Sequence, residues 1–161
     1  MRIGVVGDTH NNLRSVRRIV EIFNAEGVSY VIHTGDITQS KVLDTFSALQ
    51  ATLHGVYGNN DLEREALKAA ATRHRMRIVD SPLEVDWHGR RILVVHDPLE
   101  LDLHLRPHHA LAIHGHTHLH RLEEIAGTLV FNPGECAGMR PRLNSVGIVD
   151  LTTLECGLRK F

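Results

Sequence analysis

The sequence predicts an α/β fold, on three observations. In the first third, short apolar runs alternate with segments of helical periodicity. A polar turn containing Gly and Asp or Asn follows each of those runs. The second half carries further strand-length apolar runs joined by short turns. With 161 residues, 42% hydrophobic and 23% charged, the chain has the proportions of one globular domain, expected to span residues 1–161.

The elements follow in order. Arg2 to Val6 reads as a buried strand closed by Gly7-Asp8-Thr9-His10. Leu13, Val16, Ile19, Val20 and Phe23 recur at spacings of three and four, so they form one apolar helix face; Arg14, Arg17 and Arg18 take the wet face, and Gly27 stops the helix. Tyr30 to His33 is the second strand, ended by Thr34-Gly35-Asp36 and followed by a helix from Ser40 to Leu49. Leu53 to Tyr57 is the third, closed by Gly58-Asn59-Asn60-Asp61 and followed by an Ala-rich helix. This alternation predicts a parallel sheet with helices packed on it, whose ligands bind beyond the carboxyl ends of the strands.

The second half reads as strands. Leu83 to Trp87 and Arg91 to Val95 flank His88-Gly89, a tight hairpin, and His96-Asp97-Pro98 ends the second run. Ala110 to Ile113 leads into His114-Gly115-His116-Thr117-His118. Leu119 to Ile125 pairs with Thr128 to Phe131 through Ala126-Gly127, and Val146 to Leu151 forms a closing hairpin with Cys156 to Phe161. An antiparallel arrangement is expected here.

Composition narrows the function classes. Lys and Arg number 18 against 19 Asp and Glu, a net charge of -1, so no global field draws the chain to nucleic acid or to an anionic membrane surface. No apolar run approaches the ~18 residues of a membrane span and no signal-peptide pattern opens the chain, so a cytoplasmic location is expected. Cys136 and Cys156 make neither a disulfide framework nor a paired-cysteine zinc site.

Histidine is over-represented, at 13 residues, eight of them between His96 and His120. The strand-end turns place Asp8, His10, Asp36, Asn59, His96, His116 and His118 at one end of a sheet. On extended backbone the pairs Asp8/His10 and His116/His118 would each point to one side. These oxygen and nitrogen donors are too many for one tetrahedral zinc and suit two metal ions that share a ligand. Of the other histidines, His33 reads as a core residue, His114 as structural, facing away from His116 and His118, and His54, His74, His88 and His120 as surface or hairpin positions.

Asp8-Thr9-His10, Gly35-Asp36, Gly58-Asn59-Asn60-Asp61, His96 and Gly115-His116-Thr117-His118 resemble, in order and spacing, the five blocks of the calcineurin-like metallophosphoesterase superfamily. Size, the Asn-Asn-Asp third block and Asn132-Pro133-Gly134-Glu135 resemble its small bacterial and archaeal phosphodiesterase branch. The resemblance implies a four-layer α/β/β/α sandwich, two facing mixed sheets flanked by helices. It also implies one metal on Asp8, His10, Asp36 and His118, and a second on Asp36, Asn59, His96 and His116, with Asp36 bridging. Two divalent cations are then the cofactors, manganese first, with nickel, iron, cobalt or zinc also suited to these donors. Hydrolysis of a small phosphodiester by a metal-bridging hydroxide follows, with Asn60 and Asp61 as candidate catalytic residues and Asn60 also binding substrate.

Two blocks depart from the pattern. Where many members have a histidine thought to protonate the leaving group, this chain has Asn60, an amide that cannot act as a general acid. Where the fourth block often reads His-Gly-His, this chain has His96-Asp97-Pro98, and His104, His108 or His109 are the nearby candidates to substitute. Other functions considered are a phosphomonoesterase, a nuclease, for which the near-neutral charge is a poor match, and a protein-binding scaffold like the retromer subunit of this fold. Exposed strand edges leave a homodimer or tetramer open.

Overall fold

In the computed structural model, which describes residues 1–139 and 143–161, the chain forms two mixed sheets. β1 (Arg2–Val6), β2 (Tyr30–His33), β3 (Thr52–Val56) and β4 (Arg77–Val79) run parallel, joined by α1 (Leu13–Glu26), α2 (Ser40–Phe46) and α3 (Arg64–Arg73). The second sheet holds β5 (Leu83–Trp87), β6 (Arg90–Val94), β7 (Leu111–Ile113), β8 (Arg121–Ile125) and β9 (Thr128–Asn132) in the order β5-β6-β7-β9-β8. A 3-10 turn at Pro98–Glu100 and α4 (Leu101–His104) connect β6 to β7.

Strand alternation creates the layers. On β1, Ile3 and Val5 point between the sheets, toward Val94, Ile113 and Phe131, while Val6 joins the core shared with α1. Gly4 faces α1 so closely that a Cβ there would lie 2.7 Å from the Phe23 ring, which explains a glycine in mid-strand. Leu93, Ala112 and Val130 turn outward to meet Leu101 of α4. The result is an α/β/β/α sandwich with a thin outer layer on the second sheet.

Local signals account for the helix and hairpin limits. Asn12 caps α1 through its side chain, which accepts from the Ser15 N–H, and Gly27 closes it in the left-handed conformation at φ 62°. His88 and Gly89, at φ 55° and 70°, make the tight turn between β5 and β6.

The structure corrects several expectations. The closing hairpin, β10 (Ser145–Asp150) with β11 (Glu155–Lys160), does not join the second-half strands; β10 pairs antiparallel with β1 and extends the first sheet. The second half is not antiparallel throughout: the connection through α4 makes β7 parallel to β6, and the passage through edge strand β8, antiparallel to β9, makes β9 parallel to β7. The helix from Ser40 ends at Phe46 rather than Leu49, and the remaining residues turn so that Leu49 still packs on the helix-side core. β4 and α4 had no counterpart in the sequence reading; each is too short for a periodicity to show. His54 is not a surface residue: its ring lies half-buried against Tyr30 and Trp87, with centroids at 5.7 and 5.0 Å. Among the described residues, no helix is long and apolar enough to cross a membrane.

Candidate metal centre

The carboxyl ends of β1, β2, β3, β6 and β7 meet along one edge of the sandwich. The turns that follow them carry the seven candidate ligands. Backbone hydrogen bonds lock these turns together: Asp8 N–H donates to the Gly35 carbonyl at 3.0 Å, His10 N–H to the Asp36 carbonyl at 2.9 Å, and Gly115 N–H to the His96 carbonyl at 3.1 Å.

The ligand pairs converge by a route the sequence reading did not foresee. Asp8, His10, His116 and His118 are not on extended backbone; their φ values are 52°, 44°, 66° and 57°, and Asp36 has 57°. Each such residue costs on the order of 1–3 kcal/mol, tolerated only where the surroundings over-determine it. Sharp left-handed turns, rather than strand pleating, aim Asp8 and His10 at one point, while His116 and His118 turn to two neighbouring ones.

Two clusters result, and the donors they contain fit cations. Asp8, His10, Asp36 and His118 offer ligand atoms that all lie within 4.8 Å of one another. His10 Nε2 is shut off from solvent without a hydrogen-bond partner, 3.8 Å from Asp36 Oδ2. In the second cluster, His96 Nδ1 donates to the Thr34 carbonyl at 2.8 Å, which leaves Nε2 as a lone pair. That lone pair faces Asn59 Oδ1 at 2.9 Å and His116 Nδ1 at 3.2 Å, and His116 Nδ1 lies 3.1 Å from the same Asn59 oxygen. His96 Nε2 and Asn59 Oδ1 are both acceptors, and an acceptor pair at this distance is repulsive unless a cation takes the space between them. Asp36 belongs to both clusters, since its Oδ1 is 3.6 Å from His96 Nε2.

Electrostatics of the metal-free site point the same way. Burial, then repulsion from Asp36, pushes the Asp8 carboxyl up to about 8. Burial also acts to raise Asp36, but two hydrogen bonds from Asn60 and the nearby His96 and His10 outweigh it and hold Asp36 below the ordinary carboxylate value. Burial lowers His10, so its ring is neutral and able to ligate.

The flanking residues take distinct places. Asn60 donates to Asp36 through both its backbone and its side chain. Asp61 is turned away into the protein: its carboxylate is buried and accepts the N–H groups of Asp36, Thr38 and Gly58 at 3.1, 2.6 and 2.7 Å. His33 is a buried core residue whose Nδ1 accepts the Gly35 N–H, so Nε2 donates to Thr9 Oγ1. His108 and His109 do not reach the site. They precede β7, at the end opposite the ligand turns, and His109 Nε2 lies 3.6 Å from Glu84. His104, at the end of α4, has no described contact with the ligands. Asp97, next to His96, instead caps the 3-10 turn, accepting the Leu99 N–H.

Beside the first cluster opens a cleft of about 390 Å³ lined by His10, Asn60, Thr117, His118, Glu135 and Met139. Sequence reasoning missed Thr117 and Met139, since neither residue type signals a binding role. Glu135 stood in a turn motif, but nothing in the motif showed that its carboxylate would be buried within 3.3 Å of His118 Nδ1.

Comparison with known proteins identifies relatives of this arrangement. The profile of the calcineurin-like phosphoesterase superfamily domain matches residues 1–154. Phosphodiesterase MJ0936 of Methanocaldococcus jannaschii is 36% identical over 154 residues, covering 93% of each chain. The solved structure of an archaeal phosphodiesterase superposes with a TM-score of 0.91 at 34% identity, covering 100% of both chains. YfcE, a phosphoesterase from E. coli, gives 0.75 at 20% identity over 99% of this chain and 98% of its own. Vps29 from Entamoeba histolytica, solved in complex with zinc, gives 0.70 at 19% identity over 99% of each chain. The last two likenesses concern the fold.

Proposed function

The chain belongs to the calcineurin-like phosphoesterase superfamily, and from that premise we propose that it is a dinuclear metal-dependent phosphodiesterase acting on small diesters. The observation that carries this reading is the convergence of His96 Nε2, Asn59 Oδ1 and His116 Nδ1, all within 3.2 Å of one another, beside the Asp8, His10, Asp36 and His118 cluster. Kinship with a curated phosphodiesterase at 36% identity supports diesters as the substrate class.

Asp8, His10, Asp36 and His118 would hold one ion and Asp36, Asn59, His96 and His116 the other. When bound, a pair of divalent ions brings the pKa of a shared water toward ~7 and neutralises phosphate oxygens. Manganese leads among the metals that mixed carboxylate, amide and imidazole donors suit. Only Asp8 and Asp36 among the ligands are anionic, so two divalent charges leave the ligand shell itself positive, an excess that the buried Asp61 and Glu135 carboxylates behind it offset in part. A diester monoanion is therefore attracted at short range. Asn60 keeps Asp36 oriented with one side-chain N–H and retains a second for a phosphoryl oxygen. Thr117 adds a hydroxyl to the cleft and Met139, 64% exposed, an apolar wall for an ester group. Asp61 serves by holding the Asp36 and Gly58 turns in place rather than by touching substrate.

The test is metal analysis of the purified protein, then reconstitution of the metal-free form against bis(4-nitrophenyl) phosphate and 4-nitrophenyl phosphate. Metal-stimulated hydrolysis with the diester preferred is expected, and Asp36→Asn should lower it by ~100-fold or more. Absence of stimulated hydrolysis with manganese, nickel, iron, cobalt and zinc would remove the enzymatic reading in favour of a binding role for the fold.

A further inference from the structure

We infer that Glu135 is a positioning residue for the metal centre: its carboxylate takes the Nδ1–H of His118 and thereby presents the Nε2 lone pair of that ring to the first metal position. This rests on the dinuclear reading above and assigns a role outside the ligand set.

Each ring nitrogen of His118 faces a carboxyl group, but only Nδ1 is within hydrogen-bond distance of one. Nδ1 is 3.3 Å from Glu135 Oε2, and Nε2 is 3.6 Å from Asp8 Oδ1 on the ligand side. A neutral imidazole carries one proton, and the nitrogen hydrogen-bonded to a carboxylate keeps it, here Nδ1 on Glu135 rather than Nε2, which Asp8 does not reach. His118 needs such an anchor, because it sits at φ 57° in a turn, where no helix or strand holds its ring.

Glu135, by contrast, is held by its backbone. The chain leaves β9 through Pro133 and Gly134, and the Ser145 N–H of β10 donates to the Glu135 carbonyl at 3.1 Å. The Asn132 side chain ties the two turns to each other, donating to the Gly115 carbonyl and to Thr117 Oγ1, both at 3.2 Å, and accepting the Gly134 N–H at 2.9 Å. The residue is 2% exposed, so its carboxylate is not free to swing into solvent. A carboxylate behind a metal-binding histidine fixes the tautomer and strengthens the ligand, and losing it typically weakens metal binding 10- to 100-fold.

The experiment is calorimetric titration of manganese into the metal-free wild type, Glu135→Gln and Glu135→Ala. Both variants should bind 10- to 100-fold more weakly, and Glu135→Asp should recover part of the loss. Equal affinity in wild type and Glu135→Gln, with only a lowered melting temperature in the variant, would overturn the inference and leave the dinuclear reading standing. A wild type that takes up no divalent ion would overturn both. Should the variants fail to fold, long-range proton–nitrogen correlation spectra of the metal-free wild type decide: a proton on Nδ1 of His118 supports the inference, and a proton on Nε2 overturns it.

Discussion

Asn60 grips Asp36 at two points: its backbone N–H donates to Oδ1 at 2.9 Å and its side-chain Nδ2 donates to Oδ2 at 2.8 Å. The residue that stands where the family resemblance leads one to expect a histidine is thus committed to orienting Asp36, the carboxylate proposed to be shared by the two metal positions. An amide has no proton to give at neutral pH, and general acid catalysis is typically worth 10²- to 10⁴-fold. Turnover should therefore fall steeply as the leaving group becomes more basic. Rates across substituted phenyl phosphodiesters check this; a flat dependence for a demonstrated chemical step would speak against it.

Asp61 should prove structural in its effects. Replacement by Ala strands two buried N–H groups, on Asp36 and Gly58, and a partly buried one on Thr38, at a cost of roughly 3 kcal/mol. For a chain of this size that corresponds to a melting temperature lower by about 6–12 °C. Thermal denaturation of the metal-free variant reads the effect directly, and a shift under 2 °C would refute it.

Metal uptake should release a proton. In the metal-free protein Asp8 titrates at about 8, so at pH 7 it is largely protonated and must lose that proton to ligate. Apparent metal affinity should rise about tenfold per pH unit below pH 8 and level off above it. Calorimetry in buffers of different ionisation enthalpy measures the proton count, expected to be near one at pH 7.

Acid should destabilise the fold through His33. Burial pushes its ring down to about 3 from the ordinary 6.5. Between those values the unfolded chain binds a proton that the folded protein refuses, so this contribution is whole above pH 6.5 and is lost as pH falls toward 3, by ~1.4 kcal/mol per unit. Asp8, raised by burial, works in the opposite direction in the metal-free protein, so the comparison must be between variants. His33→Gln should lose about one proton's worth of slope in urea denaturation measured from pH 7 to pH 4; parallel slopes would contradict the assignment.

Much of the first half was legible because its strands end in residues that could not continue them. Asp8 and Asp36 follow apolar runs long enough to identify, and Gly27 stops a helix whose apolar face spans Leu13 to Phe23. The second half was less legible. β7 is only three residues, Leu111–Ile113, all buried, and a fully buried run shows no alternation from which a neighbour's direction could be inferred. The placement of β10 beside β1 depends on pairing across more than 140 residues of chain, which no local pattern encodes.

By itself the sequence determined which residue types stand at the strand ends, because hydrophobic periodicity and turn chemistry act over a few residues and are written locally. It also determined the near-neutral charge that leaves any anion to be recruited at the site. Only the tertiary structure decided how the candidate ligands meet. The left-handed turns at Asp8, His10, Asp36, His116 and His118 are costly for residues with a Cβ and persist because bonds from other turns hold them. The same is true of the burial of Glu135 behind His118 and of Asp61 beneath the Asp36 turn, where a carboxylate gains its role from partners far away in the chain.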